Sequence, residues 1–344
     1  MSNELAAGVV GLGFGANHAR VLDELPGVRL AAVCDKDDSR LAEASKGREA
    51  RTYTDFEAML RNEKLDAVVI AVPARLHEAL ALATIERGYA VLVEKPLART
   101  LAEGQRIVAA AADAGVPLMA GHIERFNPAL QELARRIHAG EAGRVRHVWA
   151  RRMAPLRQRQ SDVNVVYDSA IHDIDAARFV LGMEVERVYA AAQSGVFFPF
   201  EDSISAVLQF APNDPYLAVV ASLEVNWLSP RRVRELMVLG EKGLFALDYA
   251  AQTLTFQAAK QTREGPPLGW SAVAPARDEA ATIPIEPREP LVEEIKAFLD
   301  ALRNGTAMPV SAQDALAALA VADAITQSAR TGAAVSLRGE GDGD

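Results

Sequence analysis

Three side chains in the 344-residue sequence have the chemistry to move a proton and steady charge on oxygen: Lys95, Asp168 and His172. Lys95 lies in Glu94-Lys95-Pro96, directly after the apolar run Ala90 to Val93. In open α/β sheets ligands bind at the carboxyl ends of strands. An ammonium placed there can hydrogen-bond a substrate hydroxyl and stabilise negative charge developing on its oxygen. Asp168 and His172 belong to Asp168-Ser169-Ala170-Ile171-His172-Asp173-Ile174-Asp175. If a helix opens here, the two stand at i and i+4 and share a face. A carboxylate beside an imidazole fixes its tautomer and raises its basicity, which suits removal of a hydroxyl proton during hydride loss. Asp168 could equally cap the helix. A metal site is the weaker alternative, because no further His, Cys or Glu stands at ligand spacing.

A second constellation is Val9-Val10-Gly11-Leu12-Gly13-Phe14-Gly15-Ala16-Asn17-His18. It ends one apolar run and opens a helical stretch. Glycines let the chain turn tightly and let backbone N–H groups approach a pyrophosphate, while the helix N-terminus favours the anion. The spacing departs from G-x-G-x-x-G: Ala16 holds the third place with Gly15 beside it, so either could take the third glycine's role. Asp35 ends the next apolar run, twenty residues past Gly15. A carboxylate there accepts hydrogen bonds from the adenosine ribose and repels a 2′-phosphate, which favours NAD over NADP. Lys36 follows directly and leaves dual specificity open.

The elements that must hold these residues change rhythm along the chain. Leu5 to Val10, Val28 to Cys34, Ala67 to Val72, Ala90 to Val93 and Pro117 to Ala120 read as short buried strands. Leu76 to Arg87 and Leu101 to Ala114 carry helical spacing and stop at Gly88 and Gly115. Such alternation implies a doubly wound parallel sheet, a Rossmann domain, over residues 1–122. Beyond it, helices over Pro128 to His138 and Ser169 to Leu181 precede six strands between Val185 and Ala258, read as an antiparallel sheet. Gln261 to Pro287 reads as a loop or lid. Helices over Pro290 to Arg303 and Ala312 to Arg330 would pack on one face, closing an α/β domain of residues 123–338. The tail 339–344 should be disordered.

The bulk numbers agree with a globular chain of two domains: half the residues are hydrophobic and 24% are charged. The net charge of −9 argues against nucleic acid or an anionic membrane surface as partner. The N-terminus shows no secretory signal, and charged residues interrupt every apolar run before it reaches the length of a membrane span. Cys34 is the sole cysteine, so there is no intrachain disulfide framework. The cytoplasm is the expected location.

The glycine loop, Ala71-Val72-Pro73 with His77, Glu94-Lys95-Pro96, and Asp168-x-x-x-His172-x-x-Asp175 followed by Leu181-Gly182 together resemble the Gfo/Idh/MocA oxidoreductase family over nearly the whole chain. Ala170 stands where the family's D-x-G-x-H motif has glycine, and Val72 where Thr is usual. The resemblance implies that the second domain is built on a large, mostly antiparallel, open-faced sheet, through which copies pair as a dimer or tetramer. It implies that Lys95 positions substrate, that His172 is the general base and that Asp168 polarises it. Pro73 and His77 would line the nicotinamide side of NAD, with Glu94 nearby. The stretches 121–128, 162–167 and 226–234 further resemble the family's nucleotide-sugar 3-dehydrogenases, implying oxidation at C3 of UDP-N-acetylglucosamine or its uronic acid. Six arginines and no acid lie between Arg144 and Arg159, and guanidinium forks suit phosphate or carboxylate. Since alternate strand residues face opposite ways, one or two, such as Arg152 or Arg159, would touch substrate. Arg125 and Asn127 are further candidates, while Trp227 reads better as core than as a base-stacking residue. Three rival functions stand beside this one. The chain could oxidise a free sugar, polyol or inositol, or use tightly bound NAD for transient oxidation in elimination or epimerisation. It could instead be a non-catalytic NAD-binding regulator, a reading that loss of Lys95 or His172 would favour and that neither residue's presence supports.

Overall fold

Short runs of Val, Ile, Leu and Ala, buried on both faces, can be satisfied only by a sheet covered on both sides. The structure, a computed structural model, describes residues 4–155, 162–196, 199–210, 218–259 and 280–337. Its first sheet is wholly parallel with strand order β3-β2-β1-β4-β5-β6. The strands are β1 (Leu5–Val10), β2 (Val28–Cys34), β3 (Arg51–Tyr53), β4 (Ala67–Ile70), β5 (Ala90–Glu94) and β6 (Leu118–Gly121). Between them run α1 (Gly15–Glu24), α2 (Asp38–Ser45), α3 (Phe56–Asn62), α4 (His77–Glu86) and α5 (Leu101–Ala114). This is the doubly wound order in which the chain reverses direction across the sheet between β1 and β4, so that their carboxyl ends open a ligand crevice. Asp37, Asp55 and Thr100 cap α2, α3 and α5 through their side chains. Gly115 ends α5 in the left-handed region at φ 64°, as the glycine there predicts.

After α6 (Pro128–His138) comes a nine-stranded sheet in the order β14-β13-β12-β11-β7-β10-β9-β8-β15. Its strands are β7 (Val145–Met153), β8 (Val185–Ser194), β9 (Glu201–Phe210), β10 (Val219–Asn226), β11 (Val233–Gly240), β12 (Gly243–Asp248), β13 (Thr253–Ala258), β14 (Ala281–Ile283) and β15 (Val335–Ser336). Every pairing is antiparallel except β7 with β10. Burial alternates along β9, β10 and β11, the mark of a sheet covered on one face only. Helices α6, α7 (Ile171–Leu181) and α9 (Ala312–Thr331) lie on the covered face; the other exposes Tyr189 opposite Val207. The two C-terminal helices take separate places rather than one face. α8 (Pro290–Asn304) leans on α1 of the first sheet, and α9 bridges α5 to β8 of the second. Most of the expected lid, the Arg157–Arg159 segment and the tail 339–344 fall outside the described residues.

Charge carried into the interior mounts α7. Arg125, just past β6, gives two hydrogen bonds of 2.6 and 2.8 Å to Asp175. Arg152 of β7 does the same to Asp173 at 2.8 and 3.0 Å and adds Glu124 at 3.0 Å. All five are buried. Breaking a buried pair by removing one partner leaves an uncompensated charge, so Asp175→Asn should lower the unfolding free energy by about 3–5 kcal/mol. Chemical denaturation checks this; a loss under about 1 kcal/mol would mean that Asp314, 3.0 Å from Arg125, suffices as its counter-ion.

Candidate active site

The glycine loop leaves β1 with Gly11 at φ 85°, where a Cβ would lie 2.5 Å from the Ala71 carbonyl oxygen. Only glycine fits there. At Gly15 a Cβ would meet Ala71 Cβ at 3.0 Å and Val9 Cγ1 at 3.2 Å. Gly15 is buried and Ala16 exposed, so Gly15 has the helix-against-strand packing role of the third glycine. Phe14, at the head of α1, gives no side-chain cap, which leaves the first amides of that helix for an anion. Asp35 accepts a 2.6 Å hydrogen bond from the Leu12 N–H, tying the end of β2 to the loop. Arg40 of α2 stands 3.7 Å from Asp35. A tight turn, an uncapped helix start and a carboxylate at the ribose position fit NAD.

Across the crevice the loop Ala71-Val72-Pro73 is fastened by His77. Its Nδ1 lies 2.8 Å from the Pro96 carbonyl oxygen and its Nε2 2.9 Å from that of Val72. Both ring nitrogens face backbone carbonyl oxygens, so His77 shapes the loop and offers a ligand no hydrogen bond. Glu94 likewise faces inward: His18 of α1 is 2.8 Å away. Burial alone would raise the Glu94 carboxyl, but the hydrogen bond and charge of His18, together with Lys95, outweigh it and hold the group below its usual value. Ala74 and Arg75 N–H groups donate to Asp162 at 3.3 and 2.9 Å. That side chain carries the segment before Asp168 over the edge of the first sheet.

Lys95 then joins the two halves of the site. Its ammonium donates to the Asp168 carbonyl at 2.7 Å and to the Asp168 carboxylate at 3.2 Å. Asp168 is neither on α7 nor its cap. It sits in a π-helical turn, Val166–Ala170, ahead of α7. Asn164 supplies the cap instead, accepting from the Val166 and Tyr167 N–H groups. The Asp168 carboxylate accepts from Ser169 Oγ at 3.1 Å, and Ser169 accepts from the Trp227 indole at 3.0 Å. Trp227 is therefore a buried residue with a polar task.

His172 Nδ1 is buried with no hydrogen-bond partner. Burial first, then the charges of Lys95, Arg152 and Arg234 among others, push its pKa well below the ordinary 6.5. The imidazole is therefore neutral near neutral pH, kept so by burial first and by the surrounding cations after it.

Three expected substrate contacts are corrected. Arg125 and Arg152 are committed to the forks that hold α7, because a buried guanidinium needs carboxylates around it. Asn127 caps α6 through the Ala129 N–H and donates to the Tyr249 carbonyl. Arg159 lies outside the described residues. Sequence reasoning missed His18, His122, Asn164, Ser169 and Arg234. Of these only Arg234, in a run of arginines after Pro230, carried a signal that could have marked it. Among the described residues no His, Cys, Asp or Glu cluster could hold a metal, and no helix is long and apolar enough to cross a membrane.

The model of the oxidoreductase family with NAD-binding Rossmann fold matches residues 5–122, and the GFO/IDH/MocA C-terminal domain matches residues 130–246. D-apiose dehydrogenase of Paraburkholderia graminis is 33% identical over 96% of this chain and 89% of its own length. The chain belongs to the GFO/IDH/MocA family. Like the members it resembles, this GFO/IDH/MocA protein is an NAD-dependent dehydrogenase acting on CH–OH groups. Inositol 2-dehydrogenase 2 of Saccharopolyspora erythraea is also 33% identical, covering 94% of this chain and 93% of the relative. UDP-N-acetylglucosamine 3-dehydrogenase of Acidithiobacillus ferrooxidans is 29% identical over 87% and 88%. The solved structure of that enzyme superposes with a TM-score of 0.81 at 24% identity, covering 95% of this chain and 98% of the other, which is a likeness of fold.

Two outcomes test the site. For alcohol oxidation the base must be unprotonated, and a lowered pKa means protonation removes activity only at more acid pH. The acid limb of kcat/KM should therefore fall below pH 6.5; a limb above that value would show that another group titrates. Asp35→Ala should weaken NAD more than NADP. Equal losses for both cofactors in a fluorescence titration would remove Asp35 from the ribose site and leave it only its Leu12 bond.

Proposed function

We propose that the protein oxidises the C3 hydroxyl of a UDP-sugar, UDP-N-acetylglucosamine or its uronic acid, to a ketone. The observation that carries the chemistry is the Lys95 ammonium, fixed on Asp168 beside a neutral His172 at the carboxyl edge of the parallel sheet. NAD, when bound, supplies the hydride acceptor. Lys95 donates a hydrogen bond to the reacting hydroxyl and holds its oxygen in place. His172 takes the hydroxyl proton as the carbon's hydride departs, leaving a carbonyl and an imidazolium. The same cations that keep the imidazole neutral favour the partial negative charge on oxygen before the C–H bond breaks.

The UDP-sugar assignment is supported by the 29% identical relative of that name. A free polyol or sugar is the second reading, and the two 33% identical relatives named for apiose and inositol favour it. Both readings use Lys95 and His172 in the same roles. A regulator that binds NAD without chemistry has no use for a lysine anchored toward a buried base. The open sheet face with Tyr189 and Val207 exposed supports assembly through a second copy.

Absorbance at the NADH band, with purified protein, NAD and a panel of UDP-N-acetylglucosamine, its uronic acid, D-apiose and inositols, decides between these. Turnover of a UDP-sugar is expected, with His172→Ala slower by about 10²–10⁴-fold. Turnover confined to apiose or inositols would transfer the assignment to the second reading.

A further inference from the structure

Most arginines on the nine-stranded sheet are matched by acids, Arg187 of β8 being an exception among the described residues. Arg151 has Glu224 and Glu235 on the open face, and Arg144 and Arg146 share Glu241. On the covered face Arg152 takes both oxygens of Asp173 and one of Glu124. Arg234 of β11 breaks this pattern, for it makes no ion pair with a described residue.

Its place in the sheet is specific. In the register of β11 against β7, Arg234 stands directly opposite Arg152, so the two side chains share a face. Leu236 and Val238, two and four residues on, are fully buried on that same face. Arg234 thus continues the buried row of β11 to the point where cover ends, and there it is exposed. The approach to the strand is set by Asn226, whose side chain accepts from the Leu228 and Ser229 N–H groups. Like charges directly opposite one another on a sheet are destabilising. Partial burial and the neighbouring Arg152 both lower the Arg234 pKa, the sign of a cation short of counter-charge. Arg152, its partner across the two strands, holds Asp173 next to His172, which puts Arg234 on the side of the sheet that faces α7.

We propose that Arg234 binds an oxyanion of the substrate, a carboxylate or a phosphate held within about one sugar ring of the carbon being oxidised, and so selects anionic substrates. The inference deepens the UDP-sugar reading and rests on it for the identity of the anion. Two groups of such a substrate share the needed chemistry: the β-phosphate on C1 and, in the uronic acid, the carboxylate on C5. A planar guanidinium offers either a two-point hydrogen bond. Both oxygens of Asp173 and one of Glu124 are already bonded to Arg152, so the incoming anion meets little competition from them.

The test compares wild type with Arg234→Gln and Arg234→Lys on UDP-N-acetylglucosamine, its uronic acid, free glucuronate and a neutral inositol. NADH formation gives kcat/KM, and fluorescence titration of NADH confirms that each variant is folded and binds cofactor. Arg234→Gln should lose about 10–100-fold more on the anionic substrate than on the neutral one, the loss of a hydrogen bond to a charged group. Arg234→Lys should recover part of it. A loss on the uronic acid that exceeds the loss on UDP-N-acetylglucosamine assigns the carboxylate; equal losses on both assign the phosphate. A ratio of anionic to neutral activity unchanged by substitution overturns the proposal. Wild-type activity on glucuronate that depends on Arg234, without activity on either UDP-sugar, would refute the nucleotide-sugar reading and leave Arg234 its role. Activity on neutral substrates alone would overturn both. Should the wild type turn over none of the four, calorimetric titration of the NADH complex with the uronic acid reads the same contrast as affinity: weaker binding by Arg234→Gln supports the role, equal binding overturns it.

Discussion

Two guanidinium–carboxylate forks set the position of helix α7, and with it the base. Asp173 and Asp175 follow His172 on that helix, and each is gripped by an arginine from a different part of the molecule. Arg125 follows the last strand of the parallel sheet, and Arg152 lies on the central region of the mixed sheet. Burying such pairs carries a desolvation cost of several kcal/mol per ion. Apolar side chains could fill the same space. What they would not supply is direction: each fork fixes an angle as well as a distance. The helix is thereby locked against both sheets at once, and His172 has one place to point.

Lys95 makes the complementary link from the other side. It ends β5, yet its ammonium is held by the carbonyl and carboxylate of Asp168 in the turn before α7. The π-helical turn is what allows this. In that turn the Asp168 side chain meets Lys95 and Ser169. The neutrality of the imidazole follows from burial first and then from repulsion by the cations around it. A base made available by neighbouring positive charge is also poised beside the charge that an alkoxide-like oxygen needs.

The parallel sheet contributes a rigid edge with few polar groups of its own. Gly11 turns the chain, Gly15 lets α1 close on Val9 and Ala71, and Asp35 bonds the loop it faces. His77 bonds two carbonyl oxygens, and Glu94 turns inward to His18. These residues shape the crevice and leave the first amides of α1 without a side-chain cap.

The local part of this was legible without coordinates. Period-two and period-3.6 patterns placed most of the strands and helices to within about three residues but not β3, β7, β14, β15, α2 or α3, glycines marked several ends, and the glycine loop with Asp35 announced the cofactor. Those signals are short-range: a strand followed by a turn, a carboxylate at a fixed spacing, a lysine at a strand end. Partnerships between distant residues left no such trace. That Arg125 and Arg152 serve Asp175 and Asp173 rather than a substrate, that Asp168 answers to Lys95, and that His77 and Glu94 face the protein depended on segments 19 to 76 residues apart meeting in space. Spacing along a chain cannot say which of several acids a buried cation will reach; the desolvation of both, decided only when the two sheets and α7 close together, does.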